Sequence, residues 1–162
     1  MSEVNFYIES KDKAGIYKEF LPQFRALLTG ETEEVSILAN ASAALRQVFD
    51  FFWVGFYLVK GDRLIVGPFQ GTVACSIIKY GKGVCGTAWK ERQTQVVPDV
   101  EQFPGHIACS SLSRSEIVVP LMKDGEVKAV LDIDSQEIGA FDETDRLYLE
   151  EVAAFLVNLI YK

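Results

Sequence analysis

This sequence predicts an α+β fold: a central antiparallel sheet of about six strands with helices on its faces. Three observations carry that expectation. Apolar residues recur at helical spacing near the two ends, over Lys13–Phe49 and again from Phe141 to Tyr161. Between them lie short runs rich in Val, Ile, Phe and Tyr, bounded by Gly, Pro and Asp. Two pairs of these runs are joined by tight-turn sequences, Lys60-Gly61-Asp62-Arg63 and Lys123-Asp124-Gly125-Glu126, which make their flanking strands antiparallel neighbours.

Lys13 to Leu28 carries Ile16, Phe20, Phe24 and Leu27 on one helical stripe, and Gly30 stops it. Pro22 inside that pattern predicts a kink or two short helices. Thr32 is the expected cap of a second helix running to about Phe49, with Val35, Leu38, Ala41, Leu45 and Val48 facing inward. Phe52–Val59 and Leu64–Phe69 read as the first hairpin. Ile77–Tyr80 reads as extended, Val84–Glu91 as a short helix and Thr94–Val97 as a short strand ending at Pro98. Asp99 to Ser113 reads as one long connection, a length often associated with function. Glu116–Met122 and Val127–Asp134 form the second hairpin, and Phe141-Asp142 opens a last helix with Leu149, Val152, Ala153, Leu156 and Leu159 inward.

The 162 residues are expected to form a single domain able to bury its core without metal or disulfide support. A net charge of −7 with scattered basic residues argues against nucleic-acid binding. Apolar runs such as Phe51–Val59 are too short to span a bilayer, and Met1–Lys13 carries no apolar stretch behind a basic start. A cytoplasmic protein without secretory signal or membrane contact is therefore expected. There, Cys75, Cys85 and Cys109 are more readily catalytic, free or metal-bound than structural staples.

Several stretches carry a family likeness. Phe52-Trp53-Val54-Gly55-Phe56-Tyr57, Gly67-Pro68-Phe69-Gln70-Gly71 and Gly81-Lys82-Gly83-Val84-Cys85-Gly86-Thr87-Ala88 are three of them. His106-Ile107-Ala108-Cys109, Ser113-Arg114-Ser115-Glu116-Ile117-Val118-Val119-Pro120 and Leu131-Asp132-Ile133-Asp134-Ser135 are the others. Together they resemble the free methionine-(R)-sulfoxide reductases, built on a GAF domain, over about Val35 to Ile160. The resemblance implies a single GAF domain over 1–162 and an oxidoreductase that needs no cofactor or metal. It implies Cys109 as the sulfur that attacks the sulfoxide, with Cys75 and Cys85 as candidate resolving thiols. Glu116, Asp132 and Asp134 would hold the substrate and assist proton transfer, and Trp53 and Tyr57 would wall the pocket. Thioredoxin as reductant and a homodimer formed through the terminal helices also follow from it.

The residues support this reading independently. Sulfoxide reduction by thiols needs a sulfur nucleophile, an acid for the departing oxygen and a second thiol to resolve the sulfenic acid. Cys109 sits in the long loop beside His106 and Ser110 and is less like a core cysteine than one within an apolar run. The residues do not by themselves rank Cys75 against Cys85; the glycine-rich helix start around Cys85 favours Cys75 as resolver. No Cys-x-x-Cys pair is present, which weakens a Cys₃His zinc site using His106. Asp132 and Asp134 share one strand face with Val130, while Leu131 and Ile133 take the other; a solvent-facing pair is the bland alternative. Three acids together cannot all ionise comfortably, so Glu116 or Asp132 is expected to stay protonated. Trp53 and Tyr57 also share a face, as a box for a methyl group or as core aromatics. The competing function is a non-catalytic GAF module that binds a small ligand or senses redox state.

Overall fold

The computed structural model describes residues 4–162. Met1, Ser2 and Glu3, part of the segment expected to lack a leader, lie outside the described residues. The elements run α1 (Lys13–Leu28), α2 (Glu34–Phe49), β1 (Trp53–Lys60), β2 (Arg63–Gln70), β3 (Ile77–Lys79), α3 (Gly83–Glu91), β4 (Gln95–Val97), β5 (Ser115–Lys123), β6 (Glu126–Ser135) and α4 (Glu143–Ile160). The strands form one sheet in the order β3-β2-β1-β6-β5-β4, every pair antiparallel. The predicted α+β architecture of six strands is the one observed.

Alternation along the central strands splits the interior into two layers. Val54 and Phe56 of β1, Ile117, Val119 and Leu121 of β5, and Leu131 and Ile133 of β6 point to one face. There they pack under Phe20, Phe24, Ile37, Leu45, Leu149 and Leu156 of α1, α2 and α4. Trp53, Tyr57, Val118 and Val130 point to the other face, which meets Val84, Cys85 and Ala88 of α3. This second layer is thinner, and the site lies in it.

Three sequence expectations need correction. The residue that caps α2 is Glu33, and no side chain makes a capping bond there, so Thr32 does not serve. Val35 is 68% exposed, and Ile37 takes the inward place. At about 100° per residue, Val35 lies roughly 120° around the helix from Ala41, the centre of the buried stripe. α1 is one continuous helix through Pro22 rather than two short helices. Pro22 and Lys18 both face water, so the carbonyl left without a helical donor can be solvated. The long connection also contains a single 3-10 turn, Val100–Gln102, started by Asp99 accepting from the Glu101 amide.

α4 opens with a capping box, Asp142 and Asp145 each accepting from the other's backbone amide. Asp145 is buried and also accepts from the Tyr17 hydroxyl at 2.6 Å and from Lys13 Nζ at 2.6 Å. These bonds tie the starts of α1 and α4 together. Among the described residues, no helix is long and apolar enough to cross a membrane.

Candidate active site

The site is set by strand register. Glu116 of β5 lies directly opposite Asp134 of β6, and Asp132 lies opposite Val118. On the other side of β6, Trp53 faces Asp134, Gly55 faces Asp132 and Tyr57 faces Val130. Residues in such register share a sheet face. The three acids and two aromatics predicted from sequence therefore meet on the α3 side, and the solvent-facing alternative for the aspartates does not hold for Asp132.

Glycine shapes the space between them. A Cβ on Gly55 would lie 2.2 Å from the Phe69 Cβ, so only glycine lets Phe69 approach β1 there. Phe69 stacks on Trp53 with ring centroids 5.0 Å apart, and Trp53 and Tyr57 are 6.0 Å apart. Phe69 was not singled out from sequence; the small residue between two large ones was the available signal. Gly86 plays the same part in α3, where a Cβ would meet the Lys79 carbonyl oxygen at 2.6 Å. That close seating presses the start of α3, with Cys85, onto the acids.

The aromatics also hold the loop above them. Trp53 Nε1 donates to the Thr72 carbonyl and the Tyr57 hydroxyl to the Cys75 carbonyl, each at 3.0 Å. This loop brings Cys75 to the long β4–β5 connection, where it forms a disulfide with Cys109, the Cα atoms 5.4 Å apart. Cys85 remains a free, buried thiol. With two of the three cysteines bonded to each other, the Cys₃His set weighed from sequence is not assembled. Cys85, Glu116 and Asp132 do bring one donor atom each within 4.8 Å of one another, a spacing that suits a cation.

Burial dominates the electrostatics of this cluster. Burial, then the neighbouring carboxylates Asp132 and Asp134, push the Glu116 carboxyl well above the usual range. Burial, then Asp132, does the same to Asp134, which keeps some solvent contact. Asp132 is raised by burial, although hydrogen bonds from Glu116, Cys85 and Asp134 oppose this. Burial, then Asp132 and Glu116, pushes the Cys85 thiol up, so it stays protonated. With every carboxyl ionised, Oδ1 of Asp132 is buried without a donor. A proton on Glu116 or Asp134 would give the Asp132 carboxyl a donor, which is the arrangement expected of three acids that cannot all ionise comfortably. His106 Nε2 lies 3.8 Å from Glu116 Oε1. Burial lowers the His106 pKa, so near neutral pH the imidazole is uncharged and this contact is not an ion pair. No lysine or arginine lines the pocket, among the described residues. An ammonium group is the complement that an acid cluster with no basic side chain beside it calls for.

A family profile described as GAF domain matches residues 31–160. The chain is 53% identical to GAF domain-containing protein A of Dictyostelium discoideum, over 93% of this chain and 96% of that protein. It is 44% identical to the free methionine-R-sulfoxide reductase of Escherichia coli, over 92% and 91%. The chain belongs to the GAF-domain family of free methionine-R-sulfoxide reductases. Another member of that family, from Neisseria meningitidis, was solved in complex with its substrate. It superposes with a TM-score of 0.95 at 51% identity, covering 97% of this chain and 95% of that one. Within this reductase family the GAF sheet carries the acids on β5 and β6 here, and the loops after β2 and β4 carry the disulfide.

Proposed function

We propose that the protein reduces free methionine-(R)-sulfoxide to methionine. The observation that carries this reading is a redox-capable disulfide, Cys75–Cys109, over a pocket floored by three acids without a cation. In the reduced protein the Cys109 thiolate attacks the sulfoxide sulfur. A protonated carboxyl, Glu116 in our assignment, gives its proton to the oxygen. Methionine leaves, and the oxygen stays on Cys109 as a sulfenic acid. The Cys75 thiol attacks that sulfur, water departs and the disulfide forms. The substrate sulfur gains two electrons and the two thiols lose two. Cys85, buried and protonated, would hold the network around Asp132 and could serve as a second resolving thiol.

Asp132 and Asp134 would pair with the substrate ammonium, and Trp53 and Tyr57 would enclose its methyl group. A methionine within a peptide has no ammonium, which supports selection of the free amino acid. Thioredoxin as reductant, a homodimer, a single domain over the 162 residues, a cytoplasmic setting and a part in the response to oxidative stress complete the proposal. The test is to incubate reduced protein with free L-methionine-(R)-sulfoxide, its (S) epimer and a sulfoxide-bearing peptide, and to count thiols. Two thiols lost with the free (R) form alone is the expected result; no loss with any of them would leave a binding module.

A further inference from the structure

We propose that the exposed face around Cys109 docks a dithiol protein, and that the partner's thiolate attacks the Cys109 sulfur rather than that of Cys75. The inference rests on the reading above, in which the disulfide is turned over. Thiol–disulfide exchange depends on which sulfur an incoming thiolate can reach. Cys109 is exposed, whereas Cys75 is half-buried, its carbonyl fastened by the Tyr57 hydroxyl. Of the two bonded residues, Cys109 is the more open to solvent and also borders the pocket.

The surroundings indicate a protein reductant rather than a small thiol. Two short segments spell the same pattern, Val73-Ala74-Cys75 and Ile107-Ala108-Cys109. Val73 is 90% exposed, and Ile77, Ile107 and Leu112 are exposed too, each of the four within three positions of a bonded cysteine; Val73 and Ile107 also border the pocket. Single exposed apolar residues are ordinary, but here they flank a redox bond on both of its segments. A small dithiol gains nothing from such a rim. A protein that must hold its thiolate in line with one sulfur gains both contact area and orientation.

The partner thiolate bonds to Cys109 Sγ, the Cys75–Cys109 bond breaks, and Cys75 leaves as a thiolate and takes a proton. The partner's second thiolate attacks the partner sulfur of the mixed disulfide and releases Cys109 as the thiolate. Two electrons pass from the partner dithiol, which ends as a disulfide. Cys109 is thus returned in the ionised form that the next attack requires.

The test uses thioredoxin whose second cysteine is replaced by serine. It is mixed with the oxidised full-length protein, quenched early in acid, alkylated and mapped by peptide mass spectrometry. The expected adduct joins the partner to Cys109 and leaves Cys75 alkylated. An adduct mapped to Cys75 overturns the proposal, and so does the lack of any adduct while dithiothreitol still opens the bond. Leu112→Glu and Ile77→Glu, neither of which lines the pocket, should slow reduction by thioredoxin roughly tenfold while reduction by dithiothreitol is unchanged. Equal slowing of both, or of neither, would remove the docking surface. Turnover of free methionine sulfoxide with dithiothreitol as sole reductant checks the functional reading separately, so either can fail alone.

Discussion

A lone buried acid with its partners and a cluster of three acids lie on opposite faces of one sheet, and the two groups are built by opposite rules. Asp145, between α1 and α4, is met by a tyrosine hydroxyl, a backbone amide and a lysine ammonium. Glu116, Asp132 and Asp134, beneath α3, meet chiefly one another and a thiol that stays protonated. Both groups remove carboxyls from water, which is costly unless partners are supplied. The first group supplies them from the chain itself. The second leaves the place of the cation open. A carboxylate with its cation inside the chain belongs to the architecture, and one without belongs to something that arrives.

Substitutions should pull the two groups apart. The largest effect is expected from Asp132→Asn and Glu116→Gln, each lowering kcat/KM for free methionine-(R)-sulfoxide about a thousandfold through lost charge pairing or proton transfer. The thermal midpoint of the unliganded protein should hold or rise in both, because an uncompensated buried acid is gone. A fall in both activity and midpoint would dissolve the distinction. Asp145→Ala should do the reverse, costing about 3 kcal/mol in denaturant unfolding by stranding Lys13 and Tyr17. Its kcat should survive at temperatures where the variant is folded.

Ligand binding should then supply to the second group what the first already has. Free methionine at about 100 times its Kd should stabilise the wild type by about 2.7 kcal/mol, while N-acetylmethionine should not. Equal protection by both would mean that no ammonium is being read. The smallest effect is in pH. Glu116 and Asp134 have raised proton affinities when folded, so between the ordinary carboxylate range and those raised values the native state binds more protons than the unfolded chain. Stability must therefore fall as pH rises through that window, by about 1.4 kcal/mol for every tenfold gain in proton affinity on folding. Glu116→Gln should flatten that fall in urea titrations; an unchanged slope would place the proton elsewhere.

Much of this was legible beforehand, for reasons that can be traced to residues. Period-two alternation put Val130, Asp132 and Asp134 on one face, and the Asp124-Gly125 turn paired the Glu116 strand with theirs; continued straight from that turn, the register would set Glu116 against Ile133, and the irregularity between Leu121 and Met122 shifts it by one residue to Asp134. Alternation and the turn are local rules, and they chose the strands and the face of the two aspartates, but the one-residue shift that brings Glu116 to them carried no signal in the sequence. What local rules could not say was how deep that face is buried, since that depends on α3 settling over it through Gly86. The Cys75–Cys109 pairing spans 34 positions and two loops, beyond any periodic signal. The α2 misreadings are of another kind: Thr32 and Val35 have suitable chemistry, but the helix begins at Glu34 and turns its apolar stripe elsewhere.

The disulfide joins two loops that border the same pocket, so opening it lengthens the tether of each. The oxidised molecule should hold Gly71–Ser76 and Gly105–Ser113 still, and the reduced one should let them wander, as deuterium uptake or a protease would register. Each molecule would then carry, in the motion of two loops, a record of whether its last turnover has been reset.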